Sequence, residues 1–258
     1  MSAVQLSDAP KLACPQWCQG VTDPPLLSLT GAGANLRLAA LLFEENGFHP
    51  DDFAYWGITP PTALYRAARK RQAEFLAGRL CAGEALRKFH GVTRFPPRDD
   101  DGAPVWPQRT SGSITHSAGL AMAVVGDSTR FPGMGLDIEV VQNQTEARSL
   151  TSLVLTPDEQ DRYREALTHD PGLCLTRIFS LKEALFKALY PLTRQRFYFQ
   201  DAEVTALESD GQCRLRLLTQ LAAAWPRGRE VEAHLTTWQE RVVALVLTSP
   251  IDDSNPPA

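Results

Sequence analysis

The sequence predicts a mixed α/β fold, with an α+β arrangement of the same elements also open, built as two similar halves. Three observations carry this. Helix-like periodicity followed by strand-like runs occurs in the same order twice along the chain. The chain's 258 residues, 43% of them hydrophobic and 22% charged, suffice for one large core or two fused smaller ones. No strict repeat, low-complexity tract or flexible linker separates the halves, so they are expected to pack as one body.

Taken in order, residues 1–60 are expected to form an N-terminal extension packed on the body, with a helix-like stretch at 34–45 between Pro- and Gly-rich segments. Residues 61–130 form the first half. Pro60 and Pro61 precede a long helical pattern over 62–89, with Leu76, Leu80 and Phe89 as buried candidates. Residues 98–102 read as a loop, and 113–125 and 134–141 as strands joined by a turn-rich connection. Residues 131–249 form the second half, with helices over 157–167 and 180–190 and strands near 197–207, 213–218, 231–237 and 241–248. Residues 250–258 are polar and Pro-rich, and are expected to fray.

Composition narrows the function classes. A formal net charge of -4 argues against general affinity for nucleic acid or anionic membrane. There is no apolar run of about 18 residues, and the N-terminus lacks the basic-then-apolar layout of a signal peptide, so a cytoplasmic location is the default. The 5 cysteines are odd in number and mostly scattered, which fits reduced thiols. Cys14 and Cys18 are the one close pair, and no further ligands at zinc-site spacing accompany them.

Two short, apolar-framed segments carry the chemistry. In an extended strand Asp137 and Glu139 project to one face, with Leu136, Ile138 and Val140 directed into the core. Two aligned carboxylates with a third from a nearby helix suit Mg2+ and leave room for substrate phosphates, although a solvated acidic strand face would look the same. Further on, Lys182, Glu183 and Lys187 lie among Phe179, Leu181, Leu185, Phe186 and Leu189. Ser180 and Glu183 fit a capping box, and Glu183 with Lys187 fits a surface i,i+4 pair worth about 0.2–0.5 kcal/mol. Neither reading covers the whole segment, because burying these charges without an anionic or metal partner is costly. Arg66, Arg69, Lys70, Arg71 and Arg79 share one expected helix, on which Arg71 and Arg79 can grip one phosphorylated ligand; a solvated basic face is the plainer alternative. His116, in a strand-like stretch, is open to a purely structural role.

These residues fall into five motifs in order: Lys70 to Arg79 (KRQAEFLAGR), Gly102 to Pro107 (GAPVWP), Gly112 to Ser117 (GSITHS), Gly135 to Glu139 (GLDIE) and Phe179 to Ala188 (FSLKEALFKA), the last followed by Tyr190-Pro191-Leu192-Thr193. In this the chain resembles the 4'-phosphopantetheinyl transferases, specifically the bacterial group that serves siderophore synthetases and related carrier proteins. The resemblance implies a pseudo-twofold pair of α/β halves in a monomer, with coenzyme A in the cleft between them. It implies Asp137, Glu139 and Glu183 as Mg2+ ligands, and Lys182 and Lys187 as partners of the coenzyme A phosphates. Arg71, Arg79, Arg98 and His116 match positions that hold the adenosine 3'-phosphate and its surroundings, and Asp137 also counts among the coenzyme A-binding positions. Glu183, directly or through a water, and Lys187 take the catalytic roles. Thr115 stands where Ser is usual, and Ala103 where the turn often carries Lys, which leaves more to Arg98.

The expected reaction moves the phosphopantetheine arm from coenzyme A to a serine of an apo acyl, aryl or peptidyl carrier protein, with fatty-acid, polyketide and siderophore pathways all open. The carrier, an acidic helical bundle in this family, is expected to dock transiently near 145–157 or the loop after Tyr190. Two alternatives use parts of the same set. A metal-dependent pyrophosphatase or phosphodiesterase would direct water with the carboxylates, and a non-catalytic coenzyme A-binding protein would need only the basic residues.

Overall fold

A computed structural model describes residues 15–21, 26 and 35–250, in two compact units. The first spans Met1–Asp23 and Gly33–Asp127, the second Pro24–Ala32 and Ser128–Ala258. The residues expected to fray, 251–258, and Cys14 of the cysteine pair lie outside the described residues.

The first unit contains β1 (Cys18–Gly20), β2 (Leu36–Phe43), the short α1 (Asp52–Tyr55), α2 (Arg69–His90), β3 (Thr110–Ser117) and β4 (Leu120–Asp127). Among the described residues its sheet runs β1-β2-β4-β3, antiparallel throughout. The helix expected over 34–45 is instead strand β2, paired on both edges. Eight consecutive, mostly apolar residues have no period that separates helix from buried strand, and pairing with β1 and β4 decides it. The single strand expected over 113–125 is a hairpin, because Ala118 and Gly119 both hold positive φ (44° and 76°), as a two-residue loop of this hand requires. The helix expected from 62 begins at Arg69, after a 3-10 turn over Thr62–Arg66. Small residues face each other where α2 meets the sheet, Ala73 and Ala77 against Ala39, Ala121 and Ala123, with Leu76 and Leu80 filling the remainder.

The second unit contains β5 (Met134–Val140), α3 (Gln144–Val154), α4 (Pro157–Arg162), α5 (Arg164–His169), α6 (Pro171–Thr193), β6 (Ala202–Leu207), β7 (Gln212–Leu217), β8 (Glu230–Trp238) and β9 (Arg241–Leu247). Its sheet runs β5-β9-β8-β7-β6, again antiparallel. Each unit thus lays one long helix on an antiparallel sheet, so the α+β version of the expected fold is the one realised. The helix expected over 157–167 breaks at Tyr163 into α4 and α5. The one expected over 180–190 starts nine residues earlier, at Pro171, where Asp170 accepts a hydrogen bond from the Leu173 amide and Pro171 occupies the first turn.

Gly135 sets how closely α6 approaches β5. A Cβ there would collide with the carbonyl oxygen of Ala184, and one at Gly133 would come within 2.6 Å of the Ala188 carbonyl. Strand and helix backbones therefore touch where side chains would normally separate them.

Glu203 on β6 is buried between Arg216 and Arg162. Burial alone would raise its pKa, but hydrogen bonds and charge from Arg216 and Arg162 outweigh it and hold the carboxyl below its ordinary value. A depressed carboxylate stabilises the fold fully above its unfolded pKa of about 4.3 and loses that contribution as pH falls through its folded value. In denaturant titrations, the stability gap between the native protein and Glu203→Gln should be widest near neutrality and close below about pH 4.

Cys174 and Cys213 are buried thiols, pushed up to about 11 and about 12 by burial, and so stay protonated. Among the described residues no helix is long and apolar enough to cross a membrane.

Candidate active site

In the first unit, α2, β3 and the turn after Arg98 enclose a small basic pocket of about 140 Å3. Arg71 and Arg79 come from one face of α2, with Phe75 halfway along. The Arg79 guanidinium lies 4.7 Å from the Phe75 ring centre. Arg79 is only 6% exposed, and its Nε has no hydrogen-bond partner. Burial, then the charge of Arg98, lowers its pKa to about 10. A buried cation beside a second cation, with a donor left over, has the charge and the hydrogen-bonding capacity to receive an anion. Arg98 is aimed by its own turn, its Nε donating to the Gly102 carbonyl at 2.8 Å while Asp99 Oδ1 accepts from the Ala103 amide at 2.7 Å. Gly102 holds φ at 98°, and a Cβ there would strike the Arg98 guanidinium.

Arg71 Nη1 lies 2.8 Å from His116 Nε2. A guanidinium only donates, so Nε2 accepts and the ring proton is assigned to Nδ1, which faces Glu74 Oε2 at 3.7 Å. Glu74 also lies 3.4 Å from Arg71. This carboxylate joins the arginine and the histidine and was not singled out from the sequence, where its only signal is an acid three residues after Arg71 in a basic run. Arg69 is engaged elsewhere, its Nε donating to the Phe48 carbonyl at 3.0 Å, so the basic stretch divides between the pocket and the fold.

In the second unit Asp137 is 2% exposed and lies beneath α6. Its Oδ2 accepts from Ser180 Oγ at 2.8 Å and its Oδ1 from Lys187 Nζ at 2.6 Å. Lys187 also donates to the Leu136 carbonyl at 3.2 Å. Ser180, Ala184 and Lys187 follow helical spacing along the face that meets β5. Glu183 belongs to the same group: burial raises its pKa, Lys187 pulls it down and the charge of Asp137 raises it further, with a net upward shift. Glu139 is half-buried on the same strand. Leu136 and Ile138 are fully buried as expected, whereas Val140 is 40% exposed, at the end of β5 where the sheet stops covering it.

Two expectations change. Ser180 is not a helix cap, since it lies mid-helix with its hydroxyl committed to Asp137. The capping box is formed instead by Thr156 and Glu159 at the start of α4. Lys182 does not join Lys187, because five residues along a helix turn the side chains about 140° apart. Lys182 is 3% exposed, and its Nζ donates to Glu159 Oε2 at 2.7 Å and to the carbonyls of Val154 and Phe199 at 2.8 Å each. All three ammonium protons are thereby used inside the second unit.

Beside Glu183, an aromatic cleft of about 220 Å3 is lined by Phe186, Phe197, Tyr198 and Phe199, with Arg196 at its edge. Phe186 lies 5.3 Å from Phe197 and stacks on Tyr190 at 5.2 Å. This cleft was not anticipated, because its walls come from α6 and from the irregular segment after it.

The oxygen donors Asp137 and Glu183 have the chemistry of a hard divalent cation site, and the proton affinity of Glu183 is raised chiefly by burial, with the like charge of Asp137 adding to it. Among the described residues, no three His, Cys, Asp or Glu side chains gather closely enough to hold a metal ion as they stand. The positive charge at Asp137 is supplied by Lys187.

Residues 60–126 match the family model of the 4'-phosphopantetheinyl transferase N-terminal domain, and residues 133–246 that of the 4'-phosphopantetheinyl transferase superfamily. Similar proteins include enterobactin synthase component D of Salmonella typhimurium, 33% identical over 86% of this chain and 92% of that protein. The Escherichia coli protein of the same name is 42% identical over 62% of this chain and 73% of its own length. The 4'-phosphopantetheinyl transferase PptT of Mycobacterium tuberculosis is 36% identical over 65% of this chain and 74% of its own. With a relative at this identity matched over nearly its whole length, and both family models meeting the two units that hold the basic pocket and the carboxylates, the chain belongs to the 4'-phosphopantetheinyl transferase superfamily, of the enterobactin synthase component D type.

Proposed function

We propose that the protein transfers the 4'-phosphopantetheine arm of coenzyme A to a serine hydroxyl of an apo carrier protein, releasing adenosine 3',5'-bisphosphate. The observation that carries this reading is the grouping of Asp137, Glu183 and Lys187 at the contact of β5 and α6, where two carboxylates and one ammonium meet in a largely buried setting. Phosphoryl transfer requires positioning and charge compensation more than covalent chemistry, and this cluster offers both.

In this reading Arg71, Arg79, Arg98 and His116 bind the adenosine 3'-phosphate, for which a pocket of about 140 Å3 with an unmade guanidinium hydrogen bond is suited. Asp137, Glu139 and Glu183 would hold Mg2+, which would supply compensation for the negative charge of the phosphates. Lys187, fixed by Asp137, directs its ammonium at the transferring phosphate or the leaving oxygen. Glu183, whose carboxyl holds its proton more tightly than an ordinary glutamate, accepts the proton of the incoming serine directly or through a water. Leu153 and Tyr198, 60% and 74% exposed, offer apolar contacts for the carrier, with Arg148 exposed on the same helix as Leu153. Gln200 ties the two segments together by donating to the carbonyls of Ser152, Leu153 and Leu155. A cytoplasmic monomer is part of the same proposal.

Intact mass spectrometry of an apo carrier protein incubated with the protein, coenzyme A and Mg2+ tests the reading. The expected result is a gain of one phosphopantetheine arm that excess EDTA abolishes. Cleavage of coenzyme A with no gain on any carrier would establish the hydrolase instead, and coenzyme A bound but intact would establish the binding protein.

A further inference from the structure

We infer that Glu159 and Lys182 are a buried pair of positioning residues, which hold the aromatic wall of the cleft in place beside Glu183. The inference rests on the transferase reading above for the reaction it serves, and on the second unit alone for its geometry. Glu159 is 0% exposed and Lys182 is 3% exposed. Glu159 Oε2 accepts from the Thr156 amide and from Lys182 Nζ, both at 2.7 Å, and Oε1 accepts from the Val204 amide at 2.6 Å. Lys182 in turn donates to the last carbonyl of α3, at Val154, and to the Phe199 carbonyl. Two side chains thereby join α3, the start of α4, α6, the segment leading into β6, and β6 itself.

Phe199 lines the cleft, as do its neighbours Phe197 and Tyr198, and this stretch belongs to neither α6 nor β6. Irregular backbone has no ladder to hold it, so its position depends on the bonds made to it. Within the stretch, Asp201 closes a 3-10 turn over Phe199–Asp201 and accepts from the Tyr198 amide, while the bonds that fasten it to the helices come from Lys182, the residue adjoining Glu183, and from Gln200, which reaches the end of α3. An apolar pair of equal volume would fill the space and spare the desolvation of two charges. It could not bond the Val154 and Phe199 carbonyls or the Val204 amide. What the charges add is the placement of backbone against the helix that carries Glu183 and Lys187.

The test compares Lys182→Met, Glu159→Gln and the double variant in carrier modification with coenzyme A and Mg2+, alongside thermal unfolding and hydrogen exchange at the amides of residues 197–200. All three variants should lose kcat by on the order of 10- to 100-fold, the scale of a small misplacement, with KM for coenzyme A little changed. Exchange at 197–200 should rise in all three. The double variant, which leaves no buried charge unpaired, should regain thermal midpoint over the singles without regaining kcat. Recovery of kcat together with the midpoint would overturn the inference in favour of stability alone, and a raised KM at unchanged kcat would overturn it in favour of a phosphate contact by Lys182. If the unmodified protein charges no carrier, the transferase reading fails by itself. Exchange at 197–200 then decides the pair, with a rise supporting its positional role and no change overturning it.

Discussion

Replacing Glu183 with Gln is expected to lower kcat for carrier modification by about 100- to 10,000-fold, the range for loss of a positioned general base, while leaving the thermal midpoint unchanged or slightly higher. The two directions follow from the same environment. Burial and the neighbouring Asp137 make the ionised carboxylate unfavourable in the folded protein, so a neutral amide of equal size removes a penalty. The same charge is what the proposed reaction uses, as proton acceptor and as oxygen donor to Mg2+. Steady-state kinetics and thermal unfolding on one preparation check both halves. Retained turnover with a lowered midpoint would assign Glu183 to the fold instead.

Gly135→Ala should have the largest structural effect of any single-carbon change at the site. The added methyl would enter the carbonyl of Ala184, and backbone on both sides leaves no flexible side-chain end to yield. Overpacking of this kind costs about 1–3 kcal/mol or more, which for a chain of this size lowers the midpoint by about 2–4 °C per kcal/mol. Because Asp137 lies two residues on, any retreat of β5 pulls its carboxylate from Ser180 and Lys187, and activity should fall by about 100-fold beyond what unfolding accounts for. Gly20→Ala is the comparison, since the nearest atom to a Cβ there is Leu41 Cδ2 at 4.0 Å, and it should leave both measurements alone.

Local chemistry was legible in the sequence where the period alone decides it. The alternation that sets Asp137 and Glu139 on one strand face needs no tertiary knowledge, nor does the placement of Arg71 and Arg79 on one helix. What covers that strand face is a long-range matter, so the burial of Asp137 under α6 could not be read from residues 135–139. Ser180 shows the same limit, because Ser-x-x-Glu looks identical at a helix start and in a helix interior. Asp170 and Pro171 mark the true start, ten and nine residues upstream. The resemblance assigns Lys182 to the coenzyme A phosphates, and no local signal points to its partner Glu159, 23 residues away in the chain. The strand at Leu36–Phe43 reads equally as helix because a short apolar run satisfies both periods, and its two neighbours in the sheet distinguish them.

The bond from Lys187 to Asp137 gives the proposed metal site a resident counterion. An acidic cluster left with no cation would repel itself and strain the strand that carries it. Here the ammonium occupies that place, held by Asp137 and by the carbonyl of Leu136, so the β5 and α6 geometry is complete without a divalent ion. Chelation should therefore silence the protein without unfolding it, since the contacts that join β5 to α6 are made by the chain's own ammonium.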